Sequence, residues 1–373
     1  MANAHGKATE TDTRLRNGED LMRIVRPEEG LISRRIFADP EVYELELERI
    51  FGRAWFFIGH ESEIPERGDM VARQCGVDPV ILVRDQAGVV RAFLNSCRHR
   101  GMRLCRTDRQ RVTTLRCPYH GWAYATSGEL LAASSEHHYG PGELNKSELG
   151  LIPVTRLGVY RGLVFGSWDP AAPSLEQWLG DMRWYMDIIF GRTGEIEFVG
   201  VPQIWEVECS WKFATDNFTD NFHGLQLVTA GDTKSEPVGI LNLRLEIPLS
   251  PTRTRMYSWF AIDKTAPADY RKLSYETYVR TFGPSGIFDQ DDMENWEECT
   301  AAARGPAAKR YTLHHKMGIG RPIDASWPGP GTCYADSYGE MTQRAWYAEW
   351  LRRMRQPSSV PSVIQRPRAR VAT

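Results

Sequence analysis

The sequence predicts an α+β protein in which a β-rich domain is inserted into a second domain of antiparallel sheet flanked by helices. Three observations carry this. At 373 residues the chain exceeds the size at which one hydrophobic core keeps growing, so two domains are expected. Between about residues 55 and 170 the pattern is one of short β segments broken by turn residues. On both sides of that block the apolar residues recur with helical spacing.

Taken in order, residues 1–20 are polar and read as a disordered tail. "DPEVYELELERIFGRAW" (39–55) places Val42, Leu45, Leu47, Ile50 and Phe51 roughly on one helical face, within an N-terminal helical part spanning 21–54. The β-rich domain, 55–170, holds two hairpin patterns and a closing segment. "PVILVRDQAGVVRAFLNS" turns at residues 85–88, "WAYATSGELLA" turns at 127–128, and "GVYRGLVFGSWDP" closes the block. From 171 to 355 the helical "SLEQWLGDMRWYMDIIF" is expected to turn Leu175, Trp178, Leu179, Met182, Trp184 and Tyr185 to a core. The strand "QIWEVECSW", the helix "KFATDNFTDNFHGLQL", the strand "RTRMYSWFAIDK" and the helix "PADYRKLSYETYVRTF" follow. "GEMTQRAWYAEWLRRMR" closes the domain as an amphipathic helix that docks through Trp346, Tyr347, Trp350 and Leu351. The Pro-rich residues 356–373 read as a second disordered tail.

Lys+Arg at 46 against Asp+Glu at 48 leaves a formal charge of −2, with no basic surplus for nucleic acid or an anionic membrane. No apolar run reaches the length of a membrane span, and the polar N-terminus lacks a secretory pattern. Seven cysteines, an odd number, argue against a disulfide framework and for a reducing cytoplasm.

Two loops then stand out. "CRHRG" (97–101) and "CPYHGW" (117–122) each bring one cysteine and one histidine. A structural zinc site tends to take its cysteines as a pair from one knuckle, and a disulfide would leave both histidines unexplained. One thiolate and one imidazole per loop suits a two-iron cluster of the Rieske type. There Cys97 and Cys117 hold one iron while His99 and His120 hold the other, with zinc as the remaining rival. Both loops are expected at hairpin tips, with Gly101 and Gly121 turning the backbone and leaving amides free for cluster sulfurs. Cys75, Cys105, Cys209, Cys299 and Cys333 have no matching partners.

"NSCRHRGMRLC" with "LRCPYHGWAY" resembles the Rieske domain of the large (alpha) subunit of bacterial aromatic-ring-hydroxylating oxygenases. "SWKFATDNFTDNFH", "GIFDQDDMENWE" and "YAEWLRRM" resemble their catalytic domain, so the likeness covers most of residues 20–355. It implies a helix-grip, START-like catalytic fold and a second cofactor, a mononuclear Fe(II) held by two histidines and a carboxylate. His223 matches the first histidine and Asp292 the carboxylate. Asp220, sharing a helix face with His223 at i, i+3, matches the residue that links this iron to a Rieske histidine of the neighbouring subunit. Taken alone, the acidic run around Asp292 reads as a solvated loop or helix start.

The likeness fails at one point. The family's second histidine falls on Val228, and the link from there to the next strand is short. Three readings follow. An internal segment is absent from this chain, or the chain is a cluster-bearing relative with a defective iron site acting only in electron transfer or assembly. In the third, Gln226 or His315 helps His223 and Asp292 hold iron. The leading expectation is an aromatic-ring dioxygenase taking O2, an aromatic substrate and NAD(P)H-derived electrons from a ferredoxin or reductase. It implies a homotrimer, with a beta subunit as a further partner. Monooxygenase or demethylase chemistry would share the same motifs.

Overall fold

The computed structural model describes residues 18–191, 195–219, 240–335 and 338–356. Most of both expected tails therefore lies outside the described residues, as do Asp220, His223, Gln226 and Val228. Residues 18–20, assigned to the tail from sequence, instead open a helix, Gly18–Ile24.

After this helix come β1 (Val25–Arg26) and its antiparallel partner β2 (Leu31–Ser33). The helix Pro40–Glu46 starts where Asp39 accepts the Glu41 amide at 2.9 Å, with proline supplying a pre-set first turn. It runs on through a wide turn, residues 47–51, that ends with the Gly52 amide on the Leu47 carbonyl at 2.8 Å.

The β-rich block contains β3 (Phe56–His60), β4 (Asp69–Cys75), β5 (Asp78–Arg84), β6 (Val90–Leu94), β7 (Arg109–Arg111), β8 (Thr114–Arg116), β9 (Ala123–Ala125), β10 (Leu130–Ala132), β11 (Arg156–Tyr160) and β12 (Leu163–Ser167). They form three antiparallel sheets in the orders β6-β5-β4-β7, β8-β9-β10 and β11-β12-β3. The run "PVILV" in β5 is apolar throughout because both faces of its sheet are covered. Ile81 and Val83 pack with Met70 and Phe93 toward the two Cys/His loops, whereas Val80 and Leu82 pack with Ile58 and Val164 on the other side. The β5/β6 turn is held by Asp85, which accepts the Ala87 and Val89 amides at 2.9 Å each.

The remaining residues build a four-stranded antiparallel sheet around β16 (Arg253–Asp263). It is flanked on one edge by β13 (Ile196–Phe198) and β14 (Gln203–Val207), and on the other by β15 (Leu241–Ser250). Helices Leu175–Leu179, Met182–Gly191, Trp211–Asn217, Ala268–Thr281, Ile287–Arg304 and Met341–Met354 surround it. The expected single helix at 174–190 is two helices broken at Gly180. The break changes which face is inward: Met182 and Trp184 are exposed, while Met186 and Phe190 are buried. The C-terminal helix docks as expected through Tyr347 and Trp350, with Trp346 and Leu351 partly covered. β17 (Thr312–His314) joins β2 at the sheet edge.

Residues from the N-terminal part share one core with this second half: Leu21, Phe37, Val42 and Phe51 pack with Trp211, Tyr347, Trp350 and Met354. At its centre Glu46, fully buried, accepts Lys212 at 2.8 Å and the indole N–H groups of Trp211 and Trp350 at 2.9 and 2.8 Å. A buried carboxylate persists because four donated bonds replace its water. Burial lowers the Lys212 ammonium, and Glu46 opposes the shift.

Candidate functional site: two loops built for a metal cluster

The loop at residues 97–101 crosses from β6 to β7, the two outer strands of the four-stranded sheet. It is not the hairpin tip expected from sequence. The loop at 117–122 is a hairpin tip, between β8 and β9. Their backbones repeat one design. The Gly101 amide donates to the Cys97 carbonyl at 2.9 Å and the Gly121 amide to the Cys117 carbonyl at 3.0 Å. The Cys97 and Cys117 amides donate to the Met102 and Trp122 carbonyls at 2.9 and 2.7 Å. Gly101 and Gly121 adopt φ of 72° and 73°, a region open to glycine. Their amides close the loops.

This fold sets the sulfurs deep and the imidazoles outside. Cys97 and Cys117 are 2% and 3% exposed, whereas His99 and His120 are half-buried, their ring centroids 4.7 Å apart. Both cysteines are free thiols, which removes the disulfide reading. Burial, reinforced by the Cys117 sulfur and opposed by the Tyr124 hydroxyl, pushes the Cys97 thiol up. A bound cation would reverse that by stabilising the thiolate. Burial, helped by the charges of His120 and Arg100, pulls the His99 imidazolium down and favours the neutral, metal-binding form.

The Nδ1 atoms of His99 and His120 are both buried without a hydrogen-bond partner. Leaving a buried polar atom unmet costs about 1–3 kcal/mol, so two such nitrogens side by side are poorly explained by packing. Two sulfurs inside and two nitrogens outside divide the donors between two metal atoms, and the residues fit a Rieske cluster.

Neighbouring residues that sequence reasoning passed over brace the loops. Tyr124 Oη lies 3.2 Å from Cys97 Sγ and accepts the Arg98 amide at 3.0 Å. Trp122 stacks on His99 at 5.0 Å and 4°. Asn95 Oδ1 accepts the Leu104 and Cys105 amides at 2.9 and 3.0 Å. The alternation in "WAYA" could have flagged Tyr124 as facing inward, but nothing local to the sequence names the sulfur it meets.

Of the residues assigned to the second metal, only Asp292 is described. The segment around it is neither a loop nor solvated on this side. It lies in the helix Ile287–Arg304, whose buried face carries Asp289, Asp292, Trp296, Thr300 and Ala303. Asp289 pairs with Arg244 and accepts the Gly283 amide. Trp296 meets Phe218 at 5.7 Å, across from the helix that leads toward Asp220. His315, weighed as a substitute iron ligand, sits with Nε2 3.6 Å from Asp216 and its ring 5.4 Å from Tyr347. Its neighbour His314 lies on β17 and is exposed.

The Rieske [2Fe-2S] domain family matches residues 54–144. The biphenyl dioxygenase subunit alpha of Paraburkholderia xenovorans (strain LB400) is 32% identical, over 91% of this chain and 94% of the relative. The chain belongs to the Rieske non-haem iron ring-hydroxylating oxygenases, as a large (alpha) subunit. The benzene 1,2-dioxygenase subunit alpha of Pseudomonas putida is 30% identical over 93% of this chain and 98% of its own. The solved naphthalene 1,2-dioxygenase from Rhodococcus sp. bound to indole superposes with a TM-score of 0.84 at 32% identity, covering 92% and 99% of the two chains. Members of this oxygenase family use a Rieske cluster and a mononuclear iron, and as oxygenases they draw electrons from a ferredoxin or reductase. These relatives support the oxygenase reading over one of electron transfer alone. The biphenyl alignment runs over 435 positions, more than this 373-residue chain contains, so part of that relative has no counterpart here. Among the described residues no helix is long and apolar enough to cross a membrane.

Proposed function

We propose that this chain is the catalytic subunit of an aromatic-ring dioxygenase, taking electrons at the two loops and using them at an iron held by His223 and Asp292. The two unpartnered imidazole nitrogens beside two buried thiols carry this reading. When bound, the cluster supplies one-electron transfer and the mononuclear Fe(II) a site for O2 activation. Cys97 and Cys117 would hold one iron of the pair, and His99 and His120 the other. Trp122 fixes the plane of His99, and Tyr124 faces the Cys97 sulfur. The half-buried imidazole edge is where charge enters and leaves the protein.

Asp292 lies on the buried face of its helix, the face that also carries Trp296. Asp220, three residues before His223 in sequence, relays toward a Rieske histidine of a neighbouring copy, so the working assembly is a cyclic trimer, with or without a beta subunit. Residues 55–170 form the cluster domain and 171–355, with 21–54, the iron domain. The protein works in the cytoplasm, on a one- or two-ring aromatic hydrocarbon of the kind the relatives' names specify. Val228 and the short link after it reflect an absent stretch of the iron domain.

The test is anaerobic purification followed by iron and sulfide determination. The expected result is a brown protein with cluster iron, matching sulfide and one further Fe(II) per chain, consuming O2 with biphenyl, naphthalene or benzene under a ferredoxin–reductase donor. Iron equal to sulfide, with no uptake under any donor, overturns the oxygenase reading. Where the parent chain holds the cluster but lacks the further iron and uptake, Val228→His by itself is expected to leave both unrestored, and recovered iron and turnover would show that only a ligand had been lost.

A further inference from the structure

Glu63 and Arg73 are each 3% exposed, and neither belongs to the loops that carry the cluster ligands. Glu63 ends "HESE" (60–63), the turn that follows β3, and Arg73 on β4 donates to its Oε1 atom. The same carboxylate accepts the His60 amide at 2.9 Å. It also accepts, from the second domain, the indole N–H of Trp259 at 3.2 Å. Trp259 lies on β16, around which the iron-domain sheet is built. The turn makes a second polar bond across the domains, where Ser62 Oγ accepts the Phe198 amide of β13 at 2.9 Å. His60 stacks on the Phe198 ring at 4.8 Å and 16°, and its Nδ1 accepts the Ser62 amide at 3.1 Å. Gly59 makes room for the arrangement: a Cβ there would stand 2.7 Å from Glu63 Oε2.

Around these bonds the seam between the domains is apolar, with Phe57, Leu163 and Phe165 packed on Phe198, Tyr257 and Trp259. Apolar burial has no preferred direction, so such a seam alone favours contact without selecting one angle of contact. A buried carboxylate is different. It is satisfied only where the guanidinium, the indole and the amide all reach it, and a rotation that carries Trp259 away leaves a buried charge short of a donor. Buried ion pairs add little net stability over well-packed apolar residues, so stability alone does not account for this one. Selection of a single domain orientation does.

We infer that Glu63, held by Arg73, is a positioning residue that locks the cluster domain in one orientation on the iron domain through Trp259, and that this orientation sets how fast the cluster gives up its electron. The inference rests on the proposed function, which supplies the electron's destination. Arg73 belongs to the sheet β6-β5-β4-β7, and the loop with Cys97 and His99 crosses from β6 to β7 of that same sheet. A tilt at Arg73 is therefore carried by a rigid sheet to the cluster ligands. Whichever copy holds the iron that a cluster serves, the gap between the two changes with that tilt.

The test uses the full chain and two variants. W259F keeps an aromatic ring and removes the N–H donor, while E63L/R73M removes both charges and strands neither. Nitroxide labels go on the exposed thiol of Cys299 in the iron domain and on A87C at the exposed β5/β6 turn, in a C333S background diluted with unlabelled chain. Pulsed EPR is expected to give one narrow label-to-label distance in the parent and a broadened, shifted one in both variants. In single turnover the pre-reduced cluster, mixed with O2 and biphenyl, is expected to be oxidised about tenfold more slowly in both variants, because small misplacements of reacting centres cost large factors in rate. The visible spectrum and reduction potential of the cluster stay as in the parent. Unchanged distances in both variants overturn the inference, even with a lower unfolding midpoint, since that is a structural role only. An unchanged oxidation rate beside a broadened distance also overturns it, as does a slower rate with a displaced potential, which puts the effect in the cluster itself. A parent that holds its cluster yet consumes no O2 counts against the proposed function. The distance measurement needs neither metal nor turnover, and it then decides the lock.

Discussion

In the cluster region every candidate ligand falls on one stretch of chain from 97 to 120, and two loops of the same backbone design hold them. In the iron domain the candidates are spread from 220 to 292, and Asp292 is buried only because its helix turns the face that carries Asp289, Asp292 and Trp296 inward. The first site is local chemistry on a rigid sheet, whereas the second is assembled by tertiary packing. The difference teaches why one half of this enzyme is readable from short motifs and the other only from the packed chain.

The largest effect expected is in the local site. Cys97→Ser removes a thiolate that nothing nearby can replace; the protein is expected colourless, with sulfide gone and donor-dependent O2 uptake abolished. Next comes Asp292→Ala, which should abolish uptake and lower iron by one per chain while the cluster spectrum is unchanged. A bleached Asp292→Ala protein would break the claim that the two sites are built independently.

Lys212→Met probes the packing that carries the second site. Glu46 would keep its two indole donors but lose its cation, and stranding a buried charge costs about 3–5 kcal/mol, read as a lower midpoint of denaturant unfolding with the visible spectrum intact before it. Tyr124→Phe removes the hydroxyl beside Cys97 Sγ. It should lower the cluster's reduction potential and cost about 1 kcal/mol of stability, with redox titration as the check.

The smallest effect is acid sensitivity at the β5/β6 turn. Burial pushes the Asp85 carboxyl up, but the Arg91 side chain and the Val89 and Ala87 amides outweigh it and hold it below the usual range. A carboxylate lowered in the folded state contributes stability above its unfolded pKa, about 3.9, and loses it as pH falls through the folded value. The parent is therefore expected to lose stability in strong acid, and Asp85→Asn, which keeps an oxygen for the Ala87 and Val89 amides, to be flatter there and about 0.5 kcal/mol less stable near neutrality.

Particular residues mark how far the sequence could be read. The cysteines, histidines and turn glycines were legible because each acts within five residues of its partner in the loop. The two hairpin turns, at 85–88 and 127–128, were legible for the same reason. The crossing path of the first loop was not, since strand order across a sheet depends on pairings between distant segments. Nor was the inward face of residues 182–190, because one glycine at 180 resets the helix.

The sequence by itself determined which atoms offer themselves to a metal cluster and in what ratio, because sulfur and imidazole at fixed short spacing leave few chemistries open. Only the tertiary structure decided that the sulfurs lie inside and the imidazoles at the edge, that Asp289 and Asp292 face inward while Glu294 and Glu298 face out, and that Glu46 ties three helices together. Those outcomes depend on which surfaces are removed from water when remote segments meet, and burial of that kind is a property of the packed chain.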